Sequence, residues 1–180
     1  MHPKIWNGVG MRSRPFQRQS YRLHGHDYAA PGAYFVTICA FEKQMLFGNI
    51  TNQTMTLSEI GKTVSKKWGS LLRHFPNIEL DQFIVMPNHV HGVIWIKPRE
   101  ALAHCRGAIN RAPTLGEIIR TFKAVTTYEI REKKLEYAIW QRSYHDRIIR
   151  NERELFAIRN YIKNNPNNWE SDEYASGLTH

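Results

Sequence analysis

The chain has 180 residues, 42% of them hydrophobic and 12% aromatic, which is enough apolar side chain for the core of one domain. Lys and Arg number 25 against 16 Asp and Glu, so the net charge is +9 and favours a polyanionic partner, above all nucleic acid, over an ordinary solvated basic surface. Two cysteines, no apolar run of membrane-spanning length and no signal-peptide pattern exclude a disulfide framework and a transmembrane protein, and they predict a cytoplasmic location.

The chain divides by composition into three parts. Residues 1–20 carry arginines without apolar periodicity and predict a flexible basic N-terminal arm. Residues 21–170 hold all the periodic segments and predict one domain. Residues 171–180 are left as a C-terminal tail.

The first half of the domain predicts two strands and a helix. Residues 34–40 are β-branched and aromatic and predict a buried strand, and 46–50 predict a second short one. Apolar residues at spacings of three and four over 57–75 predict a helix with Thr56 or Ser58 as its N-cap.

A hairpin follows in the middle of the chain. Residues 78–86 predict a strand, Pro87–Asn88 a turn, and 89–96 a second strand running back. Residues 98–113 are polar and irregular and predict a loop.

Two more helices are predicted in the second half. Thr114 and Glu117 form a capping box at the start of one helix, and Asn151 caps the other, which ends near Asn165 before a proline. Residues 144–149 between them predict an extended segment. The outward face of the first helix carries a basic stripe, a plausible phosphate track or a solvated surface: Arg120, Lys123, Thr127 and Arg131. This order of elements favours an α+β fold with an antiparallel sheet and helices packed mainly on one face.

His89 and His91 are the first candidates for chemistry. Residues i and i+2 of a strand point to the same side, so the two imidazoles can chelate one divalent ion. A second pair, His24 and His26, lies in a glycine-containing loop where no regular geometry fixes the rings, so we treat it as a chance match. His104 and Cys105 lie in the irregular loop, where a zinc site would be open and poorly held.

Tyr161 is the second candidate. It lies at the edge of the apolar stripe of the last helix, and Asn165 lies one turn later on the same edge. Such a tyrosine is most often a half-buried packing residue, but it can also act as a covalent nucleophile if a base or a metal-polarised target is at hand.

These motifs together resemble those of the REP-associated tyrosine transposases, which belong with the IS200-type transposases in the HUH single-strand nuclease superfamily. The resemblance extends over about residues 18–169. It rests on separated motifs in the right order: Gly32–Cys39, Met86–Gly92, Trp140–Arg142, His145–Glu152 and Tyr161–Trp169.

The resemblance implies a ferredoxin-like or RRM-like sheet with the metal motif on a central strand. It implies Tyr161 as the nucleophile, with His89, His91 and Asn165 as ligands of Mg²⁺ or Mn²⁺. The substrate would be single-stranded DNA beside a palindromic hairpin, cleaved through a 5′-phosphotyrosine link. Monomer and homodimer both remain open.

The sequence also leaves phosphate contacts and two other functions open. We take as candidate DNA contacts Arg120, Lys123, Arg142 and Arg150, each of which could equally be surface charge or part of an internal ion pair. The first alternative function is a non-catalytic regulator that binds DNA hairpins. The second is an RRM-like RNA binder, which needs exposed aromatic residues on the sheet face.

Overall fold

The computed structural model describes residues 29–98, 113–132, 138–172 and 174–175. The predicted basic arm and the pairs His24–His26 and His104–Cys105 lie outside these residues. No helix in the described part of the chain is both long and apolar enough to cross a membrane.

The strands and helices follow the predicted order with one addition. They are β1 Gly32–Cys39, β2 Gly48–Thr51, β3 Thr54–Leu57, α1 Glu59–His74, β4 Ile78–Val85, β5 His89–Ile96, α2 Leu115–Glu132, β6 His145–Ile149 and α3 Glu152–Asn164. Short 3₁₀ helices cover Phe41–Lys43 and Asn165–Ser171. The addition is β3, which pairs with β2 in a hairpin outside the main sheet.

The main sheet is antiparallel, with strand order β4-β5-β1-β6. This is the order of the ferredoxin-like split βαβ fold, with α1 and α2 as the two crossovers. Both crossover helices pack on one face, and α3 alone packs on the other. The predicted α+β class, with helices mainly on one face, is therefore confirmed.

The predicted helix starts are confirmed by their hydrogen bonds. The Ser58 hydroxyl accepts from the N–H of Gly61 at 3.0 Å. The Glu117 carboxylate accepts from the N–H of Thr114 at 2.8 Å. The Asn151 side chain caps α3 by accepting from the backbone at 2.9 Å. These bonds satisfy N–H groups that the first turn of a helix leaves without a partner.

The larger core lies between the sheet and the pair α1 and α2. Alternate residues of β5, Val90 and Ile94, point into it. Gly92 lies between them, and a Cβ atom there would stand 2.4 Å from the indole ring of Trp68 on α1. Only glycine therefore lets the helix pack this closely on the strand that carries both histidines.

The smaller core lies on the other face, beneath α3. Leu155, Ile158 and Ile162 of that helix are buried against the sheet. An ion pair also ties α3 to β4, because the Arg159 guanidinium donates to the Asp81 carboxylate at 3.0 Å. This bond to Arg159 is the main cause that holds the pKa of Asp81 below its usual value.

The position of α3 bears on the RNA-binding alternative. An RRM-like protein exposes aromatic side chains on its sheet face. Here α3 covers that face, and Trp95, which lies on it, donates from its indole N–H to Asp81 at 3.1 Å. The covered face disfavours an RRM-like mode of RNA binding.

Candidate active site

The two histidines of β5 meet on the side of the sheet that faces α3. The side chains of His89 and His91 are 0% and 1% exposed. Their Nε2 atoms lie 3.0 Å apart. Two ligands at right angles around one ion, with bonds of about 2.1 Å, would have about this separation.

Asn88 fixes the orientation and tautomer of His89. Its Nδ2 group donates to the carbonyls of Tyr174 at 2.7 Å and Lys43 at 3.2 Å, so its Oδ1 is the acceptor on the other side. That oxygen lies 2.9 Å from Nδ1 of His89. Nδ1 therefore carries the proton, and Nε2 presents its lone pair towards His91.

His91 has a similar support on its outer nitrogen. Its Nδ1 lies 2.8 Å from the hydroxyl of Thr37, the residue opposite it on β1.

Burial, with a smaller contribution from the Lys43 ammonium, lowers the pKa of His89 to about 3. Burial also holds the pKa of His91 well below its usual value. Both rings are thus neutral at pH 7, the form in which imidazole binds metal.

Tyr161 reaches the histidine pair from α3. Its hydroxyl lies 3.3 Å from Nε2 of His91 and 3.5 Å from a carboxylate oxygen of Asp172. The residue is 39% exposed, and its ring meets the edge of the Phe35 ring. The residue is thus partly exposed to solvent, and its hydroxyl is directed at His91 and Asp172.

Asn165 follows one turn after Tyr161 and is 1% exposed. Its backbone stays helical, with φ −57° and ψ −40°, although a proline follows it. The amide Nδ2 donates to Asp172 at 2.9 Å, whereas the buried Oδ1 has no hydrogen-bond partner. A buried acceptor without a partner lowers the stability of the fold, and a group bound to this oxygen would remove that cost.

Asp172 and Tyr174 complete the site and were not predicted from the sequence. Ligand atoms of Asp172, His89 and His91 all lie within 4.8 Å of one another. The Tyr174 ring lies over His89 with a centroid separation of 4.8 Å. Both residues belong to the segment expected as a separate tail. No periodicity marks them, because they follow a 3₁₀ helix rather than lie on a regular element.

The donor set fits a divalent cation. Two neutral imidazoles and one carboxylate have ligand atoms within 4.8 Å of one another. The Asn165 amide is hydrogen-bonded to that carboxylate and has an unpaired buried oxygen. Mixed nitrogen and oxygen ligands suit Mn²⁺ well, whereas Mg²⁺ prefers oxygen alone.

The four predicted phosphate contacts differ in their exposure to solvent. Arg120, Arg142 and Arg150 are exposed. Lys123 instead points at the protein: its ammonium donates to the carbonyls of Gln141 at 2.7 Å and Ser143 at 2.9 Å, and burial lowers its pKa to about 8. This geometry favours a structural role for Lys123.

Two open cavities accompany these residues. The first, of about 670 Å³, begins at Tyr161 and His91 and continues between α3 and the sheet. The second, of about 720 Å³, is a groove between α2 and the segment 138–142, with Tyr128, Arg131 and Arg142 on its sides. We call them the tyrosine pocket and the α2 groove.

Comparison with known proteins identifies a family and similar proteins. Residues 33–165 match the family model described as "Transposase IS200 like". An uncharacterised protein of Haemophilus influenzae is 37% identical over 170 residues, which cover 87% of this chain and 92% of that one. The solved structure of a REP-associated tyrosine transposase bound to a REP hairpin is 21% identical, with a TM-score of 0.55 over 81% of this chain and 72% of that one, and shares the fold.

Proposed function

Because the chain belongs to the IS200-like transposase family, we propose that it is a metal-dependent enzyme that nicks and rejoins single-stranded DNA through Tyr161. The observation that carries this proposal is the approach of the Tyr161 hydroxyl to within 3.3 Å of Nε2 of His91, in a basic chain. A packing tyrosine has no need of two buried neutral histidines beside its hydroxyl.

The proposed ligands of the metal are His89, His91, Asn165 and Asp172. Of these, Asp172 adds a negative charge that three neutral ligands lack, which strengthens the binding of a divalent ion. The ion, Mg²⁺ or Mn²⁺, would polarise the scissile phosphate when bound and offset the charge that develops on it.

In the cleavage step the phenolic oxygen of Tyr161 attacks phosphorus. The bond from phosphorus to the 3′ oxygen breaks, so the products are a 5′-phosphotyrosine and a free 3′-hydroxyl. The phenolic proton leaves the Tyr161 oxygen as the new bond forms, and the departing 3′ oxygen takes up a proton. Attack by a 3′-hydroxyl on the same linkage reverses the step and joins DNA without a nucleotide cofactor.

The proposed substrate is single-stranded DNA next to a palindromic hairpin. The structurally similar transposase was solved with a REP hairpin, and the net charge of +9 suits a polyanion. Exposed arginines at positions 120, 142 and 150 are the proposed phosphate contacts. Lys123 would contribute indirectly, because it holds the backbone of segment 141–143 beside Arg142.

The test is an adduct assay with 3′-labelled hairpin DNA from the flanks of the gene, in Mn²⁺ or in EDTA. We expect an SDS-resistant protein–DNA band with Mn²⁺ alone. Tyr161→Phe should abolish it. Tyr128, on α2, is 69% exposed, and Tyr128→Phe should still form the adduct because it removes only one hydroxyl from the α2 groove and keeps Tyr161. An adduct that persists in Tyr161→Phe contradicts the proposal. Tight binding of the hairpin without any adduct would instead identify a DNA-binding regulator.

A further inference from the structure

The tyrosine pocket differs from the metal centre in its chemistry. It starts at Tyr161 and His91, where the reaction is proposed to occur, and extends away from them along α3. Its volume of about 670 Å³ lies within the range of about 300–1,000 Å³ that is usual for small-molecule sites. A pocket of this size takes a single nucleotide but not a duplex.

Much of the wall of this pocket is apolar. The half-buried ring of Phe35 forms one side, and Ala157 and Ile158 of α3 form another. The Phe35 ring stacks on His91 with a centroid separation of 5.3 Å, which fixes the plane of the ring. A fixed aromatic ring beside aliphatic side chains offers apolar contacts to a flat heterocycle.

The charges at the pocket do not suit a phosphate. Arg147 is its one cationic lining residue among the described residues, and that guanidinium is paired with Glu154. Glu154 lines the pocket as well, so this pair offers a phosphate no net positive charge. Asn168 and Ser171 add neutral donors and acceptors. The α2 groove, with exposed Arg131 and Arg142, is the better place for a sugar–phosphate backbone.

We propose that the tyrosine pocket binds one unpaired DNA base that neighbours the scissile phosphate. The proposal rests on the proposed DNA-cleaving function and adds to it the way in which the strand is positioned. The base stacks on the apolar walls, and Asn168 and Ser171 contact its edge. Stacking in this slot draws the adjoining phosphate towards Tyr161.

The experiment is an abasic scan of the gene-flanking hairpin, with binding measured by fluorescence anisotropy in EDTA so that no cleavage intervenes. Each unpaired nucleotide beside the hairpin is replaced in turn by an abasic site, which removes the base and keeps the phosphate. We expect one or two adjacent positions at which this replacement weakens binding about tenfold, a usual effect for the loss of a stacked base.

Ala157→Leu locates the base. It fills the pocket with an aliphatic side chain that offers no stacking ring, and position 157 is exposed on a helix, where leucine is well tolerated. We expect it to weaken binding of the intact strand about tenfold and that of the abasic strand hardly at all. The matched control is Ser65→Leu, which also places a leucine at an exposed helical position. It lies on α1, which packs on the opposite face of the sheet from the tyrosine pocket, so both affinities should stay unchanged.

Three outcomes overturn the proposal. One is a wild-type scan without a sensitive position, another is an Ala157→Leu variant that keeps full sensitivity, and the third is loss of sensitivity in Ser65→Leu instead. The adduct assay on wild-type protein separates these outcomes from a failure of the proposed function. A sensitive position that disappears with Ala157→Leu, in a protein that forms no adduct with Mn²⁺, supports the base site and refutes cleavage.

Discussion

Asn88 is the residue whose replacement tests most directly how the histidine pair is held. Its side chain is fully buried and makes three hydrogen bonds, one to the His89 ring and two to backbone carbonyls. Asn88→Ala removes all three. At about 1 kcal/mol for each net hydrogen bond, we expect the free energy of unfolding to fall by about 3 kcal/mol.

The same change should weaken metal binding. Without the Asn88 acceptor, Nδ1 of His89 loses the bond that keeps its proton, so the ring is free to rotate or to change tautomer. Loss of such a supporting bond usually costs about 10- to 100-fold in metal affinity. The measurement is a Mn²⁺ titration followed by the electron paramagnetic resonance of the free ion, with unfolding measured separately in urea and EDTA.

Asn88→Asp separates the two contributions of this side chain. The carboxylate still accepts from His89 but cannot donate to the carbonyls of Lys43 and Tyr174, so stability falls in this variant too. Mn²⁺ affinity should be kept, because the acceptor remains and the added negative charge acts in the same direction. Equal losses of affinity in both variants would refute our reasoning about the imidazole. They would show that anchoring of the C-terminal segment is what matters.

Two further predictions concern the fold. Gly92→Ala should lower the free energy of unfolding by roughly 1–3 kcal/mol in urea denaturation, because the new methyl group overlaps the indole of Trp68 on α1. The control Gly69→Ala should be neutral or stabilising, because a Cβ atom there meets nothing within 4 Å. Equal effects of the two changes would contradict the packing argument. Asp81→Asn should cost about 1–2 kcal/mol at pH 7. Because the folded-state pKa of Asp81 lies below its unfolded value of 3.8, the difference from wild type should shrink as pH falls below that value, and a difference constant to acid pH would refute the ion pair.

Much of the fold was predictable because its signals are local. Caps and apolar spacing predicted all three helices, and α1 starts at the cap residue Ser58 as expected. The hairpin of β4 and β5 followed from two apolar runs around Pro87–Asn88. The strand β3, Thr54–Leu57, was missed because it is only four residues long, half of its residues are polar, and none of them is fully buried.

The candidate site was predictable only in part, for a related reason. Strand alternation alone places His89 and His91 on one face, and helical spacing alone places Asn165 one turn after Tyr161. That α3 packs on the face of the sheet that carries these histidines depends on tertiary structure, which local patterns do not report. Asp172 reaches the site through a 3₁₀ turn, and Lys123 turns inward to backbone carbonyls 18 to 20 residues away. Neither placement has a periodic signature.

The position of β5 has a consequence for how such a site is lost or kept over time. This strand is paired along both edges, to β1 and β4, and covered on both faces. Its amide protons should exchange with solvent only when the whole domain opens. The histidine pair is then preorganised before any ion arrives, and substitutions far from it and from Asn88 reduce the amount of folded protein rather than distort the pair. Tyr161 and Asp172 lie at the solvent-facing rim, so sequence drift can silence the chemistry there while the histidine pair persists intact.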